Sequence, residues 1–101
     1  MSLSPVRQHP RVEAGFMVKL LAGPRAILAK ALDLSLAGLS LVDPGDLDQV
    51  SHVAICLPSE GREVVMPVRV ARRQGEQVAL QFTAVDWDDL FLLARYLSPR
   101  L

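Results

Sequence analysis

The chain is cut into short lengths by residues that a helix interior does not accept. Between residues 15 and 82, apolar runs are stopped by Ala22-Gly23-Pro24-Arg25, Asp43-Pro44-Gly45-Asp46, Pro58-Ser59-Glu60-Gly61 and Gln74-Gly75. Glycine reaches positive φ without a Cβ clash, and proline fixes φ and gives up an N–H, so such clusters turn the chain. The runs between them alternate: Phe16, Val18 and Leu20 against Met17, Lys19 and Leu21, and later Val78, Leu80 and Phe82 on one side. A period of two puts alternate side chains on opposite faces of a strand. Strands are expected over 15–21, 26–33, 39–42, 53–57, 63–72 and 77–82. Pro67 falls inside the fifth and predicts an edge or a bulge there. Six short antiparallel strands of this kind fit a closed or nearly closed β-barrel.

The period changes at the C-terminal end. Asp86 is a good N-cap, and Asp88 and Asp89 put negative charge in a first turn, where the helix dipole favours it. Trp87, Leu90, Phe91, Ala94 and Leu97 recur at helical spacing, and Ser98-Pro99 ends the pattern. A helix over 86–98 is expected to cap the barrel, with that stripe as its core face. The fold class is all-β with one C-terminal helix. The expected division is a flexible N-terminal arm over 1–11, a barrel over 12–85 and the helix, all one domain.

Bulk properties remove several functional classes. One hundred and one residues suffice for one small core and no separate catalytic domain. Eleven basic and eleven acidic residues cancel, which argues against nonspecific binding to nucleic acid polymers. Arg62, Arg69, Arg72 and Arg73 keep open a small barrel that binds single strands, but such barrels display stacking aromatics, and this chain has five aromatics. Four of these (Phe16, Phe82, Trp87 and Phe91) fall in apolar, core-like patterns. Cys56 is the only cysteine, so there is no internal disulfide, and within Val53-Ala54-Ile55-Cys56-Leu57 it reads as a small packed hydrophobe. The N-terminus does not read as a signal peptide, and no run reaches the ~18 apolar residues of a membrane span, so the expected compartment is the cytoplasm. His9 and His52 have no nucleophile or carboxylate at a recognisable spacing, and no Walker loop occurs; the chain is read as no enzyme, with no metal.

Two short signals carry the chemistry. Arg7-Gln8-His9-Pro10-Arg11 sets two arginines four positions apart. Extended, they span up to about 14 Å and can grip different parts of one ligand. Each guanidinium fits a phosphate, or the O6/N7 edge of guanine, through two parallel hydrogen bonds. Asp33-Leu34-Ser35-Leu36-Ala37-Gly38 supplies a carboxylate that accepts from guanine N1–H and N2–H₂, a hydroxyl that serves either partner, and a glycine. The same residues also suit blander roles. Two arginines on a tail do little by themselves. Asp33 and Ser35 would equally cap backbone donors where a strand ends in a turn.

Together these two motifs resemble the RxxxR and [D/N]xSxxG signature of the PilZ domain, a bacterial receptor module for cyclic di-GMP. The stretches 33–41, 68–72 and 78–82 are similar to successive PilZ strands, and the likeness covers residues 6–97. The resemblance implies a split-barrel type of six-stranded fold whose arginine arm wraps over a ligand on the outside of the barrel. Arg7 and Arg11 would hold phosphates and guanine edges, Asp33 and Ser35 would contact guanine and phosphate, and Gly38 would let a base lie close. Cyclic di-GMP would be the ligand rather than a cofactor. An ordered arm would signal to a separate, unidentified downstream protein, with the receptor a monomer or a dimer. The alternative of the same fold is a protein–protein interaction module that does not use nucleotide, such as a type IV pilus or motility adaptor. Val6 stands where many members of the family carry a further arginine.

Overall fold

The computed structural model describes residues 10–58 and 60–101. It contains strands β1 (Val12–Glu13), β2 (Met17–Ala22), β3 (Arg25–Leu34), β4 (Gly38–Val42), β5 (Val50–Cys56), β6 (Glu63–Gln74) and β7 (Gln77–Phe82). Helix α1 (Trp87–Leu97) follows, and a 3₁₀ turn, Ser98–Arg100, ends the fold. The strand order is β1-β3-β2-β5-β6-β7-β4, and β4 pairs again with β3. Strands β2 to β7 therefore form the closed six-stranded antiparallel barrel expected from the sequence. The seventh strand, β1, was not foreseen. It continues the line of β2 along β3, pairing Val12 with Leu34 and Glu13 with Asp33. Between β1 and β2 the chain stays bonded to β3, with Ala14 N–H on the Leu32 carbonyl (2.9 Å) and Gly15 N–H on that of Ala31 (2.8 Å).

The interior follows from alternation. Val18, Leu20 and Ala22 of β2, Val53 and Ile55 of β5, and Val64, Met66 and Val68 of β6 are buried, as are Val78, Leu80 and Phe82 of β7. Cys56, against expectation, is exposed. Its neighbours Ile55 and Leu57 take the inward positions, so the pleat turns Cys56 outward.

Register shifts interrupt the alternation at three places among the described residues: one between β2 and β5, at Leu21 and Ala22, and two that bear on the outer surface described below. In β3 the shift lies between Ala31 and Asp33. Ala29 and Ala31 point inward, and unbroken alternation would send Asp33 in after them; the extra residue instead makes Leu34 the next buried side chain. In β6 the shift lies between Val70 and Arg72, not at Pro67. Pro67 is no edge residue either, since the barrel is closed. Its carbonyl accepts from Thr83 N–H (2.9 Å), just past the end of β7. A residue's N–H and C=O point to the same side of a strand, so the missing donor falls where β7 has run out.

Helix α1 is capped as expected, Asp86 accepting from Asp88 N–H (3.3 Å). Burial first, and then the Asp86 carboxylate, raise the Asp89 carboxyl above its ordinary value, while Arg62 opposes them. The packed face differs from the expected one. Leu92, Leu93, Tyr96 and Leu97 are buried, whereas Trp87 is 73% and Phe91 67% exposed. The helix has apolar residues on two overlapping stripes that share Leu97, and the barrel chooses between them. Phe16 meets Tyr96 edge-to-face, centroids 6.2 Å apart at 89°. Arg100 lies 4.0 Å from the Tyr96 ring centroid and donates to the Tyr96 carbonyl at 2.7 Å. This orientation predicts that Leu93→Ala costs about 2–5 kcal/mol of unfolding free energy. Phe91→Ala, measured at low protein concentration, should cost less than ~1 kcal/mol. Equal losses in urea titrations would contradict the assigned face.

Candidate functional site

The bulge in β3 brings Asp33 of the second motif to the outer surface, and β1 brings Arg11, the last residue of the first motif, to it. Because Val12 and Glu13 are registered on Leu34 and Asp33, Arg11 leaves β1 beside the Asp33 carboxylate. Arg11 Nη1 lies 3.5 Å from Asp33 Oδ2, with side chains 32% and 26% exposed. The other oxygen, Oδ1, accepts from Ser40 N–H at 3.3 Å. One carboxylate thus ties the arginine arm to β3 and β4 together. Arg7 and His9 lie outside the described residues.

Ser35 sits just beyond the end of β3, in the turn to β4. It is only 5% exposed. Its Oγ accepts from Ala37 N–H (3.1 Å) and donates to the Gly38 carbonyl (3.4 Å), which also receives Ser35 N–H (2.9 Å). The hydroxyl therefore organises the turn, as the blander reading had it, and also lines the cleft beside it.

Gly38 opens β4 opposite Gln81 of β7. A Cβ here would collide with the Leu80 carbonyl, a backbone atom with no freedom to move aside. Close approach of β4 and β7 is thus reason enough for a glycine, independent of any base stacked above it. The φ of Gly38 is not in the left-handed region.

Two adjoining clefts share Arg11, Asp33, Ser40 and Ala79. One of about 210 Å³ adds Ser35, Gly38, Ala71 and Gln81. The other, about 260 Å³, adds Arg72, Gln74 and Gln77. The first has small residues along its floor, where a planar group can lie flat. The second is walled by polar side chains, suited to phosphate or a hydrogen-bonding edge. Four of the five residues singled out in the sequence (Arg11, Asp33, Ser35 and Gly38) line the first cleft.

Sequence reasoning did not find Ser40, Arg72 or Gln81 as part of this surface. Gln81 was within reach, since Leu80 and Phe82 point inward and Gln81 must point out. Arg72 was not, because the β6 bulge sets its parity: it faces Ala79, on the same side as Gln81. Among the described residues Arg72 makes no ion pair. Two of the other three arginines have side-chain partners. Arg69 donates to Gln81 Oε1, and Arg73 lies 3.5 Å from Asp43. With Arg69 and Arg73 paired to neighbouring side chains, the four arginines are not the free basic strip that a single-strand binder presents.

The Gly38 geometry gives a direct expectation. Gly38→Ala should lose about 1–3 kcal/mol of stability through overpacking against β7. A urea midpoint equal to that of the parent chain would show that β4 and β7 are not so close.

The family model described as PilZ domain matches residues 5–98. No curated protein sequence matches the chain. Among solved structures, the PilZ domain of CeSA from a cellulose-synthesizing bacterium superposes with a TM-score of 0.66 at 18% identity, covering 89% of this chain and 96% of that one. The Bacillus subtilis inhibitor of motility MotI/DgrA gives 0.75 at 23% identity, over 93% of this chain and 50% of that one. The PilZ domain of Escherichia coli YcgR, solved with c-di-GMP, gives 0.71 at 14% identity, over 93% and 90%. At these identities the structural likeness establishes the fold.

Proposed function

We propose, from the premise that this chain belongs to the PilZ domain family, that it is a non-catalytic cytoplasmic receptor for cyclic di-GMP. The ligand-binding residues are Arg7, Arg11, Asp33, Ser35 and Gly38. The observation that carries this reading is the meeting of Arg11 and Asp33 at 3.5 Å above a cleft lined by Ser35 and Gly38. That pair joins the two motifs, and its chemistry is the chemistry a guanine dinucleotide needs. Arg11 offers a planar fork to a phosphate or to guanine O6/N7. Asp33 offers acceptors to N1–H and N2–H₂. The solved YcgR domain holds the same ligand.

The Arg11–Asp33 pair is easily exchanged. A long, partly exposed ion pair is worth under ~1 kcal/mol. The charge-assisted hydrogen bonds that a dinucleotide makes in its place are worth about 1.5–3 kcal/mol each. Part of that gain goes to ordering the arm and immobilising the ligand. With bound ligand, the arm and nucleotide together present a surface to a separate downstream protein.

Isothermal titration with cyclic di-GMP, and GTP as control, tests the reading. Saturable binding of cyclic di-GMP alone is expected, and Arg7→Ala, Arg11→Ala and Asp33→Ala should each weaken it about tenfold or more. Parent-like affinity in all three variants would overturn the site. No binding by the parent chain would favour the nucleotide-free interaction module, in which Asp33 and Ser35 serve only the turn they already brace.

A further inference from the structure

Helix α1 is apolar on two sides, and the barrel covers one. The other carries Trp87, 73% exposed, and Phe91, 67% exposed, with half-buried Ala94 further along. Trp87 and Ala94 are seven residues apart, about 10 Å along the axis and on nearly the same side of the helix. Beside Ala94 the stripe ends in an apolar cleft of about 170 Å³, walled by Leu97, Leu101, Leu36 and Pro10. A cavity of ~150 Å³ accommodates a benzene ring. One helix face therefore holds a large aromatic projection at one end and an apolar hollow at the other.

We propose that this face binds a second copy of the chain, the two α1 helices packing antiparallel about a two-fold axis near Leu90 and Phe91. In that arrangement Trp87 of each chain enters the hollow beside Ala94 of the other. Self-complementarity of this kind is what an isologous interface requires. Charge selects the same register. The pairing that sets Trp87 against Ala94 also brings Asp88 of each helix to the same flank as Arg95 of the other, within about one turn of it. Arg95 contacts Glu60 at 3.0 Å, yet its side chain stays 71% exposed, and a guanidinium has donors for two carboxylates. The acidic first turn of each helix then lies at the level of the basic last turn of the other. A parallel pairing would bring the acids together, and so would repel. The interface draws its energy from a few aromatic anchors rather than from area. Its hollow is bounded by Pro10 and Leu36, which belong in sequence to the two motifs, but it does not depend on nucleotide.

Sedimentation velocity of the whole chain, from low micromolar to near-millimolar concentration, is the first test. A concentration-dependent monomer–dimer equilibrium is expected. Trp87→Ala should weaken it at least tenfold while leaving the melting temperature at low concentration unchanged. In a C56S background, W87C and A94C should each stay uncrosslinked alone under mild oxidation and form a disulfide dimer when mixed. A chain that is monomeric throughout the range would overturn the proposal, as would W87C crosslinking to itself or a dimer unaffected by Trp87→Ala.

Discussion

One extra residue in β3 decides where the chemistry of this domain points. The register shift between Ala31 and Asp33 ends an inward run of alanines and turns Asp33 outward, with Leu34 filling the interior behind it. Without the shift, a carboxylate would enter an apolar barrel with no partner, at a cost no surface interaction repays. With it, the same strand segment lies between β1 and β4 and gathers three parts of the candidate site. β1 delivers Arg11, the carboxylate holds Ser40 N–H, and Ser35 braces the turn that starts β4. Bulges commonly re-aim a side chain beside a functional surface, and here the re-aimed residue belongs to the second motif.

The barrel supplies the rigidity that this placement needs. Closure through β3 and β4 gives β4 a partner on both sides, and β4 comes so near β7 that only glycine fits at position 38. A second bulge, in β6, presents Arg72 and Ala71 along the same outer surface. The floor of the groove is thus fixed by backbone pairing, whereas Arg11 is held by one long ion pair. Preorganised floor and exchangeable arginine suit a receptor that must take up a charged ligand without first breaking anything strong.

Much of the barrel was legible because alternation is local. Val78, Leu80 and Phe82 announce β7, the glycine–proline clusters announce the turns, and Asp86 announces the helix start. What escaped depends on partners distant in sequence. A two-residue strand such as β1 has no period to read, and exists because β3 has a free edge beyond β2. The bulges leave no composition signal, so neither the irregularity after Val70 nor the outward turn of Arg72 is legible in the sequence, where Pro67 is the more visible candidate. Helix α1 satisfied two packing solutions, and the stripe holding Trp87 and Phe91 was the one the barrel left open. Of the motif residues, Asp33 and Arg11 were legible by chemistry. That the Leu80 carbonyl excludes a side chain at Gly38 was not, because the two strands meet only in the folded sheet.

The central claim is that the Arg11–Asp33 junction is where ligand binds. Amide chemical shifts of the uniformly labelled chain, followed by NMR as cyclic di-GMP is added, test it most directly. The account predicts the largest changes at Arg11, across 33–40, and at Ala71, Arg72 and Gln81, with β2 and β5 little affected. Shifts concentrated on the outer face of β2 and β5, or none at saturating ligand, would contradict it.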